Sequence, residues 1–478
     1  MKPGRSIDLT TGSILKNLAK MSLPIMLSNF MQTFYNLTDM WWLGKLGESA
    51  RSSVAVAGLA FPIIFFLASF GFGFTVAGTA MVSRFKGAKK PEKIKEAIGQ
   101  YTFILGIFSM IFLLIAAFFI DDILILLNVP SEILGLANEY MRIIMTGMIF
   151  MFIFISYQSI SHGLGDTYTP MVIQIVSVLI NVVLDPVFIF GIGFIPRMEA
   201  VGAGYATLIA RIIGAAMAIY SMAKHSPHLV PTFEEIKPNW RVLKNMIKLA
   251  LPASLGQSMT SFGFVFLQGF VNSFGTLVIS TFSIGNRMTS FFMMPAMGVS
   301  HGLASIIGQN LGAKKIDRAK RSVLLAFITV ISIMGIGCAL VFFFGAELTR
   351  FFIDDPKVIE VGQRMFKVTS IAAFIFSVLF VFMGVFNGSG QTKATMFLNV
   401  LRLWGIRIPL VYLLSGSFLK YAWVAESAIA PILVQIAEPL SAHPYDSLWW
   451  SMLISNTITS TLSYIIYRQG GWLRVKVD

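Results

Sequence analysis

The stretch LPIMLSNFMQTFYNLTDMWWLGKLG, residues 23–47, decides how this chain folds. At about 1.5 Å of rise per residue it can cross the ~30 Å hydrocarbon core of a bilayer as a helix. It nevertheless contains Asp39, and Met40, Trp41, Trp42 and Leu43 continue the apolar run beyond it. A charge inside such a span costs roughly 2.5–3.5 kcal/mol, so it normally faces a cavity, finds a partner or takes up a proton. Asp39 therefore reads as the site of a coupling ion, and a plain interfacial carboxylate at a helix end is the alternative. Pro24, earlier in the same helix, removes a backbone donor and supplies a place to bend.

The rest of the composition agrees with a membrane reading. The chain is 56% hydrophobic and 13% charged, whereas about a quarter of a soluble domain is charged. Its mean hydropathy is +0.75. The net charge of +14 does not point to nucleic acid, because Lys and Arg lie in short loops between apolar runs and form no stripe interleaved with aromatics. Cys338 stands alone in an apolar run, which excludes an internal disulfide and argues against a thiolate metal site. The first apolar segment lacks a small-residue cleavage site, and no signal peptide is expected.

Apolar runs of about 20 residues give twelve candidate spans, near 15–44, 54–83, 96–120, 137–160, 168–191, 200–222, 246–272, 278–308, 321–345, 364–386, 395–416 and 447–467. Basic clusters fall on one side of these spans. They are Lys2, Arg5, Lys16 and Lys20; Arg84 to Lys95; Lys224 to Lys248; Lys314 to Arg321; and Arg468 to Lys476. Loops such as Asp121–Asp122 and Asp354–Asp355 fall on the other, so both termini are expected in the cytoplasm, with Met1 to Thr10 as a tail.

An internal repeat divides the chain. Gly87-Ala88-Lys89-Lys90 recurs as Gly312-Ala313-Lys314-Lys315, and Gly163-Leu164-Gly165-Asp166-Thr167 as Gly388-Ser389-Gly390-Gln391-Thr392, both at an offset of 225 residues. Leu23-Pro24 likewise echoes Leu251-Pro252. The fold expected is all-α and integral to the membrane, with twelve helices in two six-helix lobes related by a pseudo-twofold along the membrane normal, a parallel duplication. The lobes take residues 1–224 and 243–478, joined by a cytoplasmic linker at 225–242. Two features break the symmetry. Asp39 maps to about Leu267 and Asp185 to near Leu410, so only the first lobe carries membrane carboxylates, expected at one depth in the outer half. Residues 417–446, with Lys420, Glu426, Glu438, His443 and Asp446, form an insertion expected on the external side.

With these residues in hand the chain resembles the multidrug and toxic compound extrusion (MATE) family across nearly its whole length. The carriers are the Pro24…Asp39 helix, the Gly-Ala-Lys-Lys loops, the Gly-x-Gly-Asp/Gln-Thr loops and Asn181-x-x-x-Asp185-Pro186. The match is to the DinF-like prokaryotic branch, since another branch has acids in the seventh and tenth helices, where 246–272 and 364–386 have none. The resemblance implies a first-lobe cavity in which Asp39, Asn181, Asp185 and Thr207 bind H⁺ or Na⁺, the only metal expected. Tyr140, Gln158, Tyr35, Asn36 and Met31 would line the substrate path, with the first helix bending at Pro24. Gln158 stands where the family usually has asparagine, and Thr207 follows a loop of its own length.

Two carboxylates at one depth in a low-dielectric cavity cannot both stay ionised cheaply, so the pair reads as a protonation switch. Asn181, one turn before Asp185, shares its face; a helix-packing amide is the plainer reading. Most of the Met and Phe residues pack or face lipid. Arg287, inside the eighth span, reads equally as a gating or counter-charge residue and as one that snorkels or marks a bend; for Arg211, Arg402 and Arg407, also inside spans, a structural role is favoured. The function expected is secondary antiport that exports amphipathic or cationic drugs, without an enzyme's catalytic cluster, a cofactor or a nucleotide-binding P-loop. Its partners are small amphipathic molecules and the lipid bilayer, with no nucleic acid. The protein is expected to be a monomer in a prokaryotic inner membrane. The alternative is a lipid-linked oligosaccharide flippase, whose pyrophosphate would draw on Arg287, Arg402 and Arg407.

Overall fold

The computed structural model describes residues 6–126, 129–193, 195–420 and 430–474, and among them the chain forms helices and no strand. Twelve rods run through it: α1 (Ile14–Leu43), α2 (Ala50–Gly87), α3 (Pro91–Phe118), α4 (Ser131–Thr146 and Met148–Leu164), α5 (Tyr168–Phe190) and α6 (Glu199–His225). The second six are α7 (Trp240–Asn272), α8 (Thr276–Gly312), α9 (Ile316–Phe343), α10 (Pro356–Ser389), α11 (Thr392–Val400, Leu401–Arg407 and Ile408–Leu414) and α12 (Ser447–Arg468). The fold is the all-α duplication expected. Many helices outrun their apolar runs, because hydropathy marks only the length that meets lipid while the backbone ladder continues into charged ends.

Among the described residues, nine rods are long and apolar enough to span a bilayer by composition; α1, α7 and α12 fall short. Each of the three carries polar residues at helical spacing: Ser28, Gln32 and Asp39 on α1, Ser254, Ser258 and Ser261 on α7, Ser451, Ser455 and Thr459 on α12. Such helices are shielded from lipid by their neighbours, as the burial of Ser254, Ser258, Ser451, Ser455 and Thr459 shows.

The repeat seen in the sequence is a repeat of backbone. Lys89 (φ +56°) and Lys314 (φ +59°) both adopt the left-handed conformation, as do Gly165 (φ +86°) and Gly390 (φ +89°). The hydrogen bonds match at the same offset. Lys90 N donates to Phe85 O and Lys315 N to Asn310 O; Asp166 N donates to Ser161 O and Gln391 N to Phe386 O. Each closes a helix with an inward loop of the Schellman kind, satisfying carbonyls that the helix end leaves open.

The lobes meet where α2 packs on α7, α1 on α8, and α2 on α8. The first two pairs exchange under the pseudo-twofold and the third maps onto itself, so the axis passes between α2 and α8. There, a Cβ on Gly87 would lie 2.7 Å from the carbonyl carbon of Gln309, and one on Gly312 would lie 2.9 Å from that of Arg84. These contacts are reciprocal, since 87 pairs with 312 and 84 with 309 in the repeat.

Two connecting segments strap the same face. Residues 6–10, expected as a tail, are docked: Leu9 is fully buried. Ile7 N donates to Gly165 O (3.1 Å) in the first lobe, and Leu9 N donates to Gln309 Oε1 (3.0 Å) in the second. Gln309 Nε2 donates onward to Gly163 O at 3.0 Å. Lys315 Nζ and Arg318 Nη2 donate to Thr10 O (2.9 Å) and Thr11 O (2.7 Å). The connection between α6 and α7 crosses the other way. Gln100 Nε2 on α3 donates to Glu235 O (2.7 Å) and Lys237 O (2.6 Å), and Lys95 pairs with Glu235 at 2.8 Å. Lys95 and the capping Thr232 hold the Glu235 carboxyl well below the usual carboxylate range. Met1 to Arg5 and Lys476 lie outside the described residues.

On the opposite face, the insertion at 417–446 contributes short helices at Ser417–Lys420, Ala430–Ala437, Glu438–Leu440 and Pro444–Asp446. Glu426 lies outside the described residues. Asp446 sits 3.8 Å from Arg364, whose Nη2 donates to Tyr445 Oη at 2.7 Å.

The crossing predicts a contrast between two glycines. Gly87→Val, which drives a side chain into the Gln309 backbone, is expected to lower stability by about 1–3 kcal/mol or more. Gly106→Ala on α3, where a Cβ meets nothing within 4 Å, should be neutral or stabilising by up to ~1 kcal/mol. Thermal unfolding of the two purified variants checks this, and equal effects would contradict it.

Candidate functional site

The site is assembled by four helices of the first lobe. α1 packs on α5, α5 on α6, and α6 on both parts of α4. Asp39 and Tyr35 are four residues apart on α1, and Asn181 and Asp185 four apart on α5, so each pair projects from one helix face. Asp185 is completely buried, Asn181 is 1% exposed and Thr207 4%. Tyr140 is buried as well, and Asp39 is half-buried with its Oδ1 out of reach of solvent.

The polar contacts run both within and between the helices. Asn181 Nδ2 donates to Asp185 Oδ1 at 3.2 Å. The Tyr35 hydroxyl and Thr207 Oγ1 lie 2.8 Å apart, either able to donate. Asp39 lies beside Asp185 and Tyr35, near enough for both to act on its carboxyl. Tyr140 is near enough to both carboxylates to feel their charge. Three buried oxygens in this group, Asp39 Oδ1, Asp185 Oδ2 and Asn181 Oδ1, have no donor. Two acceptor-only carboxylates side by side cannot satisfy one another without a proton or a cation between them.

Arg211 is one of the arginines for which the sequence favoured a structural role. It projects from α6, interacts through charge with Asp39, and its Nη1 donates to Ile144 O at 3.3 Å. The step between the two parts of α4 gives it room: a Cβ on Gly147 would lie 3.1 Å from Arg211 Nη1. Its only signal in the sequence was a guanidinium in mid-span, with no clue to its partner.

The remaining expectations divide. Asp39, Asp185, Asn181, Thr207, Tyr35 and Tyr140 come together. Gln158 on α4 is half-buried and forms no hydrogen bond to this group. Asn36 is exposed and accepts from Gln32 Nε2 at 3.4 Å, while Met31 is half-buried. Pro24 is buried and lies inside α1, which begins at Ile14, so it is no first-turn proline. Of the arginines that a pyrophosphate site would draw on, Arg287 is exposed on α8, whereas Arg402 and Arg407 are buried together on α11.

All the unsatisfied atoms are oxygens, a donor set that suits a proton or a hard cation rather than a soft metal.

The MatE family model matches residues 24–187 and 252–413. The two blocks open on Pro24 and Pro252, the prolines that the repeat had paired. "Probable multidrug resistance protein YpnP" of Bacillus subtilis (strain 168) is 29% identical over 99% of this chain and 99% of its own length. "Multidrug export protein MepA" of Staphylococcus aureus (strain NCTC 8325 / PS 47) is 26% identical over 90% of this chain and 94% of its own. Among solved structures, "Crystal structure of MATE in the bent conformation" superposes with a TM-score of 0.84, at 22% identity, over 98% of this chain and 97% of that one.

The Tyr35–Thr207 contact can be weighed directly. A double-mutant cycle with Tyr35→Phe and Thr207→Val, read by thermal unfolding, should give a coupling of about 0.6 kcal/mol, the usual worth of a hydrogen bond between membrane helices. Strictly additive effects would show that the two hydroxyls act separately.

Proposed function

Because this chain belongs to the MatE family of membrane transporters, we propose that it is a secondary active exporter of amphipathic and cationic compounds, driven by H⁺ or Na⁺ entering at Asp39 and Asp185. The observation that carries this reading is the pair of buried carboxylates with unpartnered oxygens and one nearby cation, Arg211. Loading the pair changes its charge by one, and a buried charge change of that size can bias a two-state structure because each state solvates it differently. The printed names of the relatives, multidrug resistance and multidrug export, support the substrate class.

In this reading the strapped face, rich in Lys and Arg, is cytoplasmic, both termini lie there, and the protein works as a monomer in the inner membrane. That face is closed by the α2–α8 crossing and the docked residues 6–11, so the cation enters from the opposite side. Pro24 sits on α1 between the seal and Asp39, and its missing donor weakens the ladder where α1 would have to change shape. The Tyr35–Thr207 bond registers α1 against α6, and Asp185 of α5, held by Asn181 of the same helix, lies beside Asp39 of α1, so a change in occupancy reaches all three.

Two measurements test this. Asp39→Asn and Asp185→Asn should each reduce ion-driven drug efflux from inverted vesicles at least tenfold, with insertion and unfolding temperature near wild type, because an amide keeps the shape and cannot cycle a charge. Wild-type efflux in either variant sinks the assignment. Pro24→Ala should keep substrate affinity while transport falls, since a shift of ~1.4 kcal/mol in the balance of helix shapes already changes their ratio tenfold. Unchanged transport by Pro24→Ala would mean that bending at this proline does not couple ion binding to export.

A further inference from the structure

The second lobe buries two positive charges that the transport reading does not use. Arg402 is 3% exposed and Arg407 5%, both on the middle segment of α11. That segment, Leu401–Arg407, is a π-helical turn, and Ile408 N donates to Leu403 O, five residues back. In an α-helix, residues five apart would splay by roughly 140°. The wider π-turn narrows that splay, and the charge of Arg402 acts on Arg407.

Neither has an anionic partner. Arg407 Nε donates to Ser455 Oγ (3.1 Å) and its Nη2 to Asn456 Oδ1 (2.9 Å), both neutral. Asn456 is itself held by its Nδ2 donating to Ala372 O at 2.9 Å, which aims its oxygen at Arg407. Arg402 lies over the Phe376 ring at 4.4 Å, makes no hydrogen bond among the described residues, and its Nε is buried without a partner. No Asp or Glu occurs in α7, α8, α11 or α12. Two buried guanidiniums without a counter-charge are costly, and their forked donors match an oxyanion.

The repeat sharpens the contrast. α11 is the counterpart of α5, and the helix that carries Asp185 in the first lobe carries Arg402 and Arg407 in the second. We propose that the second lobe holds a binding site for a single oxyanion, the phosphate or carboxylate group of a ligand, between Arg402 and Arg407. Arg407 is pre-aimed by Ser455 and Asn456, and Arg402 offers its unused donors from the Phe376 face. The site is independent of the carboxylate pair and stands whether or not Asp39 carries a coupling ion.

The full chain in phosphatidylcholine nanodiscs tests it by thermal unfolding against inorganic phosphate, with sodium chloride at matched ionic strength as control. A saturable rise in Tm with phosphate is expected, and its apparent affinity should fall at least tenfold in both Arg402→Gln and Arg407→Gln. Arg407 also ties α11 to α12, so that variant can lose its fold. Arg402, which makes no hydrogen bond, then carries the test alone. Nanodiscs containing phosphatidylglycerol separate the sources. If this lipid right-shifts the phosphate response, the anion is a headgroup; if it does not, the anion is soluble. A wild-type protein indifferent to phosphate in both kinds of nanodisc, or a response that persists unchanged in a folded Arg402→Gln, overturns the proposal and leaves the arginines as a structural clasp on α12.

Discussion

Where α2 crosses α8, backbone meets backbone. Gly87 and Gln309 on one side of the axis, and Gly312 and Arg84 on the other, approach so closely that no side chain fits. Main-chain atoms cannot swing aside as a side-chain tip can, so this crossing fixes where the pseudo-twofold lies. Much of the strapped face is arranged around it: Gln309, one half of the contact, also receives Leu9 N and reaches Gly163 O. A single side chain thus joins the crossing, the docked segment and the loop after α4. Packing in lipid has no hydrophobic drive between helices, and close approach at small residues is what replaces it.

The duplication was legible because its signals are costly to make otherwise. A left-handed residue after a helix needs glycine or tolerates little else, and Gly165 and Gly390 advertise that position. Lys89 and Lys314 adopt it too, and the glycines before them mark the crossing instead. The carboxylate pair was legible for a similar reason: an acid in a span is expensive, and the four-residue spacing of Asn181 with Asp185 put both on one face.

What escaped the sequence depends on partners far along the chain. The resemblance grouped Asn36 and Met31 with Tyr35, and α1 leaves Asn36 exposed and Met31 half-buried. Arg211 gives no local sign of the acid it faces. The docking of residues 6–11 rests mostly on main-chain groups, as in the bonds of Ile7, Leu9 and Thr10, which any sequence possesses. The π-turn in α11 leaves a helical pattern intact and changes only which residues share a face. The two lobes have nonetheless kept one skeleton with opposite charges on α5 and α11, so duplication supplied the frame and substitution set its polarity.

The docked residues 6–11 have a practical consequence for anyone handling this protein. They bridge Gly165 of one lobe and Gln309, Lys315 and Arg318 of the other. A purification tag or fluorescent fusion placed ahead of residue 6 is joined directly to this tie between the lobes. The position of the tag is therefore an experimental variable, to be held constant between any two preparations whose conformations are compared.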